Sequence, residues 1–212
     1  MKPIVLIGGG GHATSVLAML EDSAMIAGYT ALTPSEELSI AYLGSDQEAI
    51  KQFKPTEVLV HNAVGFTAGC SLELRKKIAN QYSNFEHATL IAPSAWVSKG
   101  SKIADGCAVM ARAVVNESDI GDMTVINTGA IIEHNCHIGS NTFIGPGAIV
   151  CGGVKIGDNT FIGAGAIIKQ GVRIASDVVI GMGAVVTKNI TIPGTYIGNP
   201  AKKLEKWKLD TP

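Results

Sequence analysis

The second half of the chain places an apolar, β-branched residue at every sixth position. The series runs through Ile120, Ile126, Ile132, Ile138, Ile144, Val150, Ile156, Ile162, Ile168, Ile174, Ile180 and Val186. An earlier stretch, from Ile91 to Val115, keeps the same step, and the step then shortens to five before Ile120. A period of six fits neither the roughly 3.6-residue period of a helix nor the alternation of a flat strand. It predicts a parallel β-helix, in which inward side chains stack from coil to coil about 4.8 Å apart.

The first half has a different pattern, in which short apolar runs alternate with helical stretches. The predicted strands cover residues 3–7, 25–29, 40–43 and 57–60, and the predicted helices cover residues 15–19, 46–53 and 68–82. This alternation predicts a parallel sheet covered by helices. Because the repeat takes over near Ile91, we divide the chain into a Rossmann-like α/β domain, residues 1–86, and a β-helix domain with a C-terminal tail, residues 87–212.

Composition excludes several classes of protein. The net charge is −1, with 17 basic and 18 acidic residues, which indicates no nucleic acid or membrane held by charge. No apolar stretch approaches the ~18 residues of a membrane span, and the N-terminus lacks the long apolar run of a signal peptide. The four cysteines have neither zinc-ligand nor redox spacing. We therefore expect an unprocessed cytoplasmic protein, not embedded in a membrane, with reduced thiols and no metal site.

A run of four glycines, Gly8 to Gly11, follows the first predicted strand and precedes His12. Such a loop lets backbone amides and a helix N-terminus approach a phosphate group. The NAD fingerprint also needs an acidic residue about 20 positions on, and the second strand ends in Tyr29-Thr30-Ala31 without one. The loop therefore favours a nucleotide diphosphate other than NAD; the alternative is a turn that only permits tight strand–helix packing.

Three segments carry a resemblance to a known family: GGGGH at residues 8–12, NTGAIIEHNCHIG at residues 127–139, and IGNPAK at residues 197–202. With them the chain resembles the sugar acyltransferases that include the bacillosamine, perosamine and viosamine N-acetyltransferases and the sialic acid O-acetyltransferases. The resemblance implies a left-handed β-helix, a homotrimer with active sites between neighbouring helices, and acetyl-CoA as co-substrate. It also implies N-acetylation of a nucleotide-linked 4-amino-4,6-dideoxy sugar in surface polysaccharide biosynthesis. O-acetylation of a sugar such as sialic acid remains the alternative.

The same resemblance makes His134 the catalytic base, since a neutral imidazole accepts the proton of an attacking amine or hydroxyl. Asn135 follows it, where the bacillosamine enzyme has glutamate. An amide orients a histidine but does not balance the charge of an imidazolium, so Glu133 is a further candidate for activating the base. Backbone amides near residues 151–153 are expected to hold the tetrahedral oxyanion.

The glycine loop, the resemblance and the positions of single residues together predict two sets of binding residues; for His61, a solvent-exposed place at a strand end is the equal alternative. The acceptor is expected at Gly10, Gly11, His12, Thr30 and His61, and acetyl-CoA at Phe143, Gly152, Ala164, Met182 and Lys202. Phe143 stands where many relatives carry a histidine close to the acetyl group, and Ala92 stands where relatives often have a histidine before proline. These departures concern the choice of substrate rather than the class of reaction.

Two other classes of β-helix protein fit the sequence less well. A γ-type carbonic anhydrase needs three histidine ligands for its metal, but only His134 and His137 lie within the repeat. A purely structural solenoid would need neither the N-terminal α/β domain nor the segment Glu133-His134-Asn135.

Overall fold

The N-terminal domain is built on a small parallel sheet. In the computed structural model, which describes residues 2–20, 23–66 and 72–205, the strands are β1 (Ile4–Ile7), β2 (Ile26–Thr30) and β3 (Leu59–Asn62), in the order β2-β1-β3. The helices are α1 (Gly11–Met19), α2 (Asp46–Gln52) and α3 (Leu72–Gln81), and a 3₁₀ turn covers Ser23–Met25. Every residue of β1 is buried, as expected for the central strand of a parallel sheet covered on both faces.

Two predicted elements of this domain differ most from the structure, and β3 begins two residues later than predicted. Residues 40–43 form no strand: they make a single bridge between Tyr29 and Tyr42, so that prediction was wrong. The segment runs along the edge of the sheet with Ala41 and Tyr42 exposed and with Ile40 and Leu43 half-buried against the core. The pairing ends after one bridge because the chain turns at Gly44, where φ is +86°. Helix α1 begins at Gly11, four residues early, because the glycine loop leads directly into its first turn. The first residues of the third predicted helix, 68–71, lie outside the described residues.

From Leu90 onward the chain winds into a left-handed parallel β-helix. Its strands are β4 (Leu90–Ile91), β5 (Trp96–Val97), β6 (Lys102–Ile103), β7 (Ala108–Val109), β8 (Val114–Val115), β9 (Asp119–Ile120), β10 (Val125–Ile126), β11 (Ile131–Ile132), β12 (His137–Ile138), β13 (Phe143–Ile144), β14 (Ile149–Val150), β15 (Lys155–Ile156), β16 (Phe161–Ile162), β17 (Ile167–Ile168), β18 (Arg173–Ile174), β19 (Val178–Ile180), β20 (Val185–Val186), β21 (Gly194–Ile197) and β22 (Lys202–Lys203). The residues at every sixth position from Ile120 to Val186 are buried at the centre of the β-helix, which confirms the predicted repeat.

Three sheets form the faces of this β-helix. The first face contains β4, β7, β10, β13, β16, β19, β21 and β22, the second contains β5, β8, β11, β14, β17 and β20, and the third contains β6, β9, β12, β15 and β18. Strands three apart pair in parallel, as in the register His137 to Lys155, so one coil takes 18 residues. Residues 18 apart are therefore direct neighbours, whereas residues nine apart lie on opposite sides of the coil.

The outward side chains differ from face to face. On the first face they pack beneath the N-terminal domain and include the buried Leu90, Ala108, Val125 and Phe143. On the second face they are all apolar: Trp96, Val114, Ile131, Ile149, Ile167 and Val185. On the third face they are polar: Lys102, Asp119, His137, Lys155 and Arg173. The second face is thus the apolar one that the N-terminal domain does not cover.

Arg75 of α3 joins the two domains. Its side chain is 1% exposed and donates hydrogen bonds to the carbonyl oxygens of Asn62, at 3.1 Å, and Val64 in the N-terminal domain. It also donates to the carbonyl oxygen of Met123 in the β-helix, at 3.0 Å. The Asn141 amide adds a second link, donating to the Leu72 carbonyl oxygen at 2.9 Å. These contacts fix the loop after β3 against the first face.

Candidate active site

A cavity of about 500 Å³ lies between the two domains, and we call it the glycine-loop pocket. It is lined by Gly8, Gly9, Gly10, Gly11, His12, Ser15, Ala63, Val64, Gly65, Phe66, Asn127 and Phe143. Gly9 packs on Tyr29, where an added Cβ would stand 2.7 Å from the ring, so glycine is required there. Gly10 and Gly11 face open space at the first turn of α1, whose leading amides have no helical acceptor. The loop is therefore accessible to a phosphate group.

His12 contributes a neutral ring to this pocket. Burial, and after it the positive charge of Arg75 and the nearby His61, together lower the pKa of its imidazole to about 3. Its Nε2 atom is buried without a hydrogen-bond partner, and its ring meets Phe143 edge-on at a centroid distance of 5.9 Å. His12 can therefore exchange a hydrogen bond with a ligand but does not act as a cation at neutral pH.

His61, the other predicted acceptor residue with an imidazole, lies in the interior. It is 0% exposed on β3, and its Nδ1 atom is 2.8 Å from the Ala88 carbonyl oxygen. Burial is the main cause that lowers its pKa to about 4. It lines neither the glycine-loop pocket nor the cavity beside it, so the structure does not bring it to the ligand side of His12.

The buried His61 predicts a specific acid sensitivity. Its pKa falls from 6.5 in the unfolded chain to about 4 on folding, so the unfolded state binds more protons between those values. Stability is therefore expected to fall as the pH falls through this window. His61→Asn, whose amide nitrogen stands at the position of Nδ1 and can donate to the Ala88 carbonyl oxygen, should reduce the drop in unfolding free energy between pH 6.5 and 4 by on the order of 3 kcal/mol. Urea unfolding at each pH measures this, and an unchanged drop would contradict the prediction.

A second cavity, of about 460 Å³, lies on the other side of the glycine loop, and we call it the Thr30 pocket. Its lining includes Gly8, Gly9 and Gly10, residues 30–35 and Asp46. The Thr30 hydroxyl donates to Asp46 Oδ1 at 2.7 Å and therefore faces a carboxylate. Sequence reasoning missed Asp46 because it follows Thr30 by 16 positions, beyond a loop that carries no readable pattern.

His134 stands exposed on a corner between β11 and β12. We call the edge between the second and third faces, residues 133–136 and 151–154, the His134 edge. The Ser118 hydroxyl supports it from the preceding coil, donating to the Glu133 carbonyl oxygen at 2.8 Å and accepting from the Cys136 amide at 2.9 Å. Ser118 lies in the corner between Val115 and Ile120, where the step of the repeat shortens to five residues. The hydroxyl that holds the His134 corner therefore comes from the one irregular corner found in the sequence.

The neighbours of His134 orient its ring. The Asn135 side-chain amide lies 3.2 Å from Nδ1, and an added Cβ at Gly152 would stand 2.7 Å from Nε2. In the structure the amide nitrogen Nδ2 of Asn135 is the atom nearest Nδ1. With this amide rotated so that its oxygen accepts from Nδ1–H, Nε2 keeps its lone pair above Gly152. The Glu133 carboxylate instead accepts from the Asn116 side-chain amide at 3.4 Å.

Backbone hydrogen bonds narrow the choice of oxyanion donor. The Gly153 amide donates to the His134 carbonyl oxygen at 2.8 Å, and the Cys151 amide donates to the Ile168 carbonyl oxygen at 3.1 Å. Among the described residues, none accepts a hydrogen bond from the Gly152 amide. Of the three amides expected in this role, only that of Gly152, buried beneath the His134 ring, has no hydrogen-bond acceptor among the described residues.

The predicted acetyl-CoA residues do not meet within one chain. Gly152 lies under His134, one coil further on. Phe143, nine residues from His134, lies on the first face in the glycine-loop pocket. Ala164 and Met182 stack on the edge between the first and second faces, which we call the Ala164 edge, and Met182 is 80% exposed there. Lys202 is exposed in β22, at the end of the β-helix.

Two further searches cover the described parts of the chain, residues 2–20, 23–66 and 72–205. No group of three or more histidine, cysteine, aspartate or glutamate side chains in them could hold a metal ion. Likewise, no helix in these ranges has the length and apolar character needed to cross a membrane.

Comparisons with known proteins agree with this fold. A family model described as bacterial transferase hexapeptide (six repeats) matches residues 117–152, and one described as hexapeptide repeat of succinyl-transferase matches residues 153–188. The acetyltransferase domain of PglB from Neisseria gonorrhoeae FA1090 is 30% identical, with a TM-score of 0.88 over 96% of this chain and 100% of that chain. PerB from Caulobacter crescentus, in complex with CoA and GDP-perosamine, is 32% identical, with a TM-score of 0.86 over 97% and 98%. No curated protein sequence matches the chain.

These similarities extend over nearly the whole length of both chains. The chain belongs to the hexapeptide-repeat sugar acetyltransferase family, which confirms the resemblance carried by its three motifs. It is an acetyl-CoA-dependent sugar N-acetyltransferase.

Proposed function

We propose that this enzyme transfers an acetyl group from acetyl-CoA to the amine of a nucleotide-linked 4-amino-4,6-dideoxy sugar. The observation that carries the proposal is the glycine-loop pocket, which combines an open loop for a diphosphate with an aromatic wall. Phe66 and Phe143 line the pocket, and Phe161 stacks against both of them. The ring centroid of Phe161 lies 3.9 Å from that of Phe66 and 5.5 Å from that of Phe143. Such a wall suits the methyl group and the C–H face of a 6-deoxy sugar. GDP-perosamine, the ligand of the similar PerB structure, supports the same class of acceptor.

His134 is the proposed general base. The sugar ammonium group first loses a proton to water, and the neutral amine attacks the thioester carbonyl carbon. As the C–N bond forms, Nε2 takes a second proton from the nitrogen, and the Gly152 amide donates a hydrogen bond to the oxyanion. The C–S bond then breaks, and the imidazolium returns its proton to the CoA thiolate. Asn135 orients the ring in this scheme. Glu133 takes no part in the proton transfer, because its carboxylate is turned to the Asn116 amide.

We further propose that the active site forms between copies of the chain in a homotrimer. The second face offers an outward row of apolar side chains, which a second copy would remove from water. If three β-helices turn these faces toward a common axis, the His134 edge of one copy meets the Ala164 edge of the next. His134 and Gly152 then face Asn127, Phe143, Ala164 and Met182 of the neighbour. This arrangement brings together the two sets of predicted residues that one chain keeps apart.

In this arrangement acetyl-CoA lies along the groove between two copies. Its thioester would reach Gly152 and the backbone beside Ala164 and Met182, while Lys202 would meet its phosphates at the C-terminal end. Both substrates are water-soluble, which favours action in the cytoplasm. The place in surface polysaccharide biosynthesis rests on the family resemblance alone.

A charged substitution on the second face tests the assembly. Ile149→Lys places an ammonium group between the outward side chains of Ile131 and Ile167 and is expected to yield monomers with little activity. Lys155→Glu changes charge on the third face and should leave the assembly intact. Light scattering after size-exclusion chromatography measures both variants. A trimeric, active Ile149→Lys protein would exclude the second face as the interface.

Thiol release from acetyl-CoA tests the substrate class. The enzyme is offered UDP-, dTDP- and GDP-linked 4-amino-4,6-dideoxy sugars, with free sialic acid beside them. Fast release with a nucleotide-linked amino sugar is the expected result. Release with sialic acid alone would contradict N-acetylation and favour the O-acetyltransferase alternative.

A further inference from the structure

The structure places a carboxylate beside the end of β2, where the sequence of the strand itself has no acidic residue. Residues 31–45 loop away from β2 and return, and the Ala31 amide donates to the Gly44 carbonyl oxygen at 3.1 Å. This return sets Asp46, the first residue of α2, beside the end of β2. The side chain of Asp46 lines the Thr30 pocket with Thr30 itself. An acidic group thus stands at the carboxyl end of the strand, supplied from a distant part of the chain.

Two buried hydroxyl groups donate hydrogen bonds to one oxygen of this carboxylate. Oδ1 accepts from the Thr30 hydroxyl at 2.7 Å and from the Tyr82 hydroxyl at 2.9 Å. Burial and, after it, the charge of Asp46 raise the pKa of Tyr82, so the phenol keeps the proton that it donates. Oδ2 accepts no hydrogen bond from any described residue. The carboxylate is held in a fixed position with one oxygen available to a ligand.

The glycine loop forms a wall shared by two cavities. Gly8, Gly9 and Gly10 line both the glycine-loop pocket and the Thr30 pocket. A diphosphate on the loop amides has room for a group at each end. Because the glycine-loop pocket borders the β-helix, where acetyl transfer is proposed, it takes the sugar. The nucleoside then enters the Thr30 pocket, beside Asp46.

We propose that Asp46 accepts a hydrogen bond through Oδ2 from the ribose 2′-hydroxyl of the acceptor, so that the enzyme selects ribonucleotide-linked over 2′-deoxyribonucleotide-linked sugars. The inference rests on the proposed function. A single available oxygen suits one O–H donor, whereas the paired N–H groups of guanine would need both oxygens of the carboxylate. In dinucleotide-binding folds an acid at the end of the second strand binds the same hydroxyl. A site built to bind a hydroxyl discriminates strongly against the analogue that lacks it.

Calorimetric binding of free nucleotides to the full-length enzyme tests this selection without acetyl transfer. UDP and GDP are compared with dUDP, dGDP and the 3′-deoxy analogues. The wild type is expected to bind the ribonucleotides about 10- to 100-fold more tightly than the 2′-deoxy forms. Asp46→Asn keeps an oxygen for Thr30 and Tyr82 but loses the charge, and should reduce the preference to about threefold or less. Glu36→Gln, an equal change of charge on an exposed loop residue, should keep the full preference.

The outcomes separate this inference from the proposed function. Equal binding of ribo- and 2′-deoxynucleotides, or a full preference in Asp46→Asn, would overturn the role of Asp46 and leave the acceptor class intact. Loss of affinity only with the 3′-deoxy analogues would overturn it as well. If no nucleoside diphosphate binds, the nucleotide-linked acceptor is excluded, and the role of Asp46 is excluded with it.

Discussion

Replacing His134 with alanine is expected to lower kcat by about 10²- to 10⁴-fold, the usual contribution of a general base. The side chain is exposed and lies on a corner held by backbone hydrogen bonds and by Ser118, so its removal should leave the fold unchanged. The KM for acetyl-CoA should change little, since the imidazole accepts the proton in the transition state and is not proposed to bind acetyl-CoA. Thiol release under saturating substrates measures kcat, and thermal unfolding checks the fold.

Asn135→Ala is the matched variant for this experiment. The residue is the immediate neighbour of His134 and touches its Nδ1 atom, so its loss should leave the base present but less well oriented. We expect a smaller decrease in kcat than for His134→Ala. An equal decrease would mean that Asn135 does more than orient the ring, and near-normal activity of His134→Ala would remove His134 as the base.

Gly152→Ala is expected to lower kcat by about 10²-fold or more, although it adds only a methyl group. The new Cβ would stand 2.7 Å from Nε2 and 2.8 Å from Cε1 of His134, closer than such atoms approach in proteins. The ring must swing away from the position in which it receives the proton, and a displacement of about 1 Å suffices for such a loss. Gly152 does not need a positive φ, so alanine should leave the backbone unstrained.

Gly171→Ala serves as the control for the added methyl group. It lies on the same edge, one coil beyond Gly153, and an added Cβ there meets no atom within 4 Å. Its φ of +71° makes alanine cost about 1 kcal/mol of stability, but kcat should stay near the wild-type value. If Gly152→Ala were as active as Gly171→Ala, the space above Gly152 would not be the site of proton transfer.

The β-helix was predictable because its signal is local and repeated. The inward residues from Ile120 to Val186 recur at a fixed step, and a coil of 18 residues follows from three hexads. The same spacing of 18 residues places Gly152 under His134. Phe143 follows His134 by half a coil and therefore lies on another face. The apolar second face could also have been predicted, since the residue before each inward position on that face is apolar.

Tertiary contacts explain what the sequence left open. Residues 40–43 have the composition of a strand, but they meet the sheet only at the bridge between Tyr42 and Tyr29, because the chain then turns at Gly44, which has a positive φ, and enters α2. The meeting of Asp46 and Thr30 depends on the path of a 15-residue connection, and no local pattern encodes that path. The interior position of His61 follows from the register of β3 against β1, which the sequence does not specify.

The activity of mixed trimers shows whether His134 of one copy works with the glycine loop of the next. His134→Ala removes the base, and Gly10→Asp sets a carboxylate in the open part of the glycine loop, where it repels a diphosphate. Each variant alone is expected to be nearly inactive. When the two chains are co-expressed with different tags and purified through both, one active site in three should combine an intact His134 with an intact neighbouring loop. A site shared between copies therefore gives about one third of the wild-type rate, whereas mixed trimers no more active than either variant alone would contradict it.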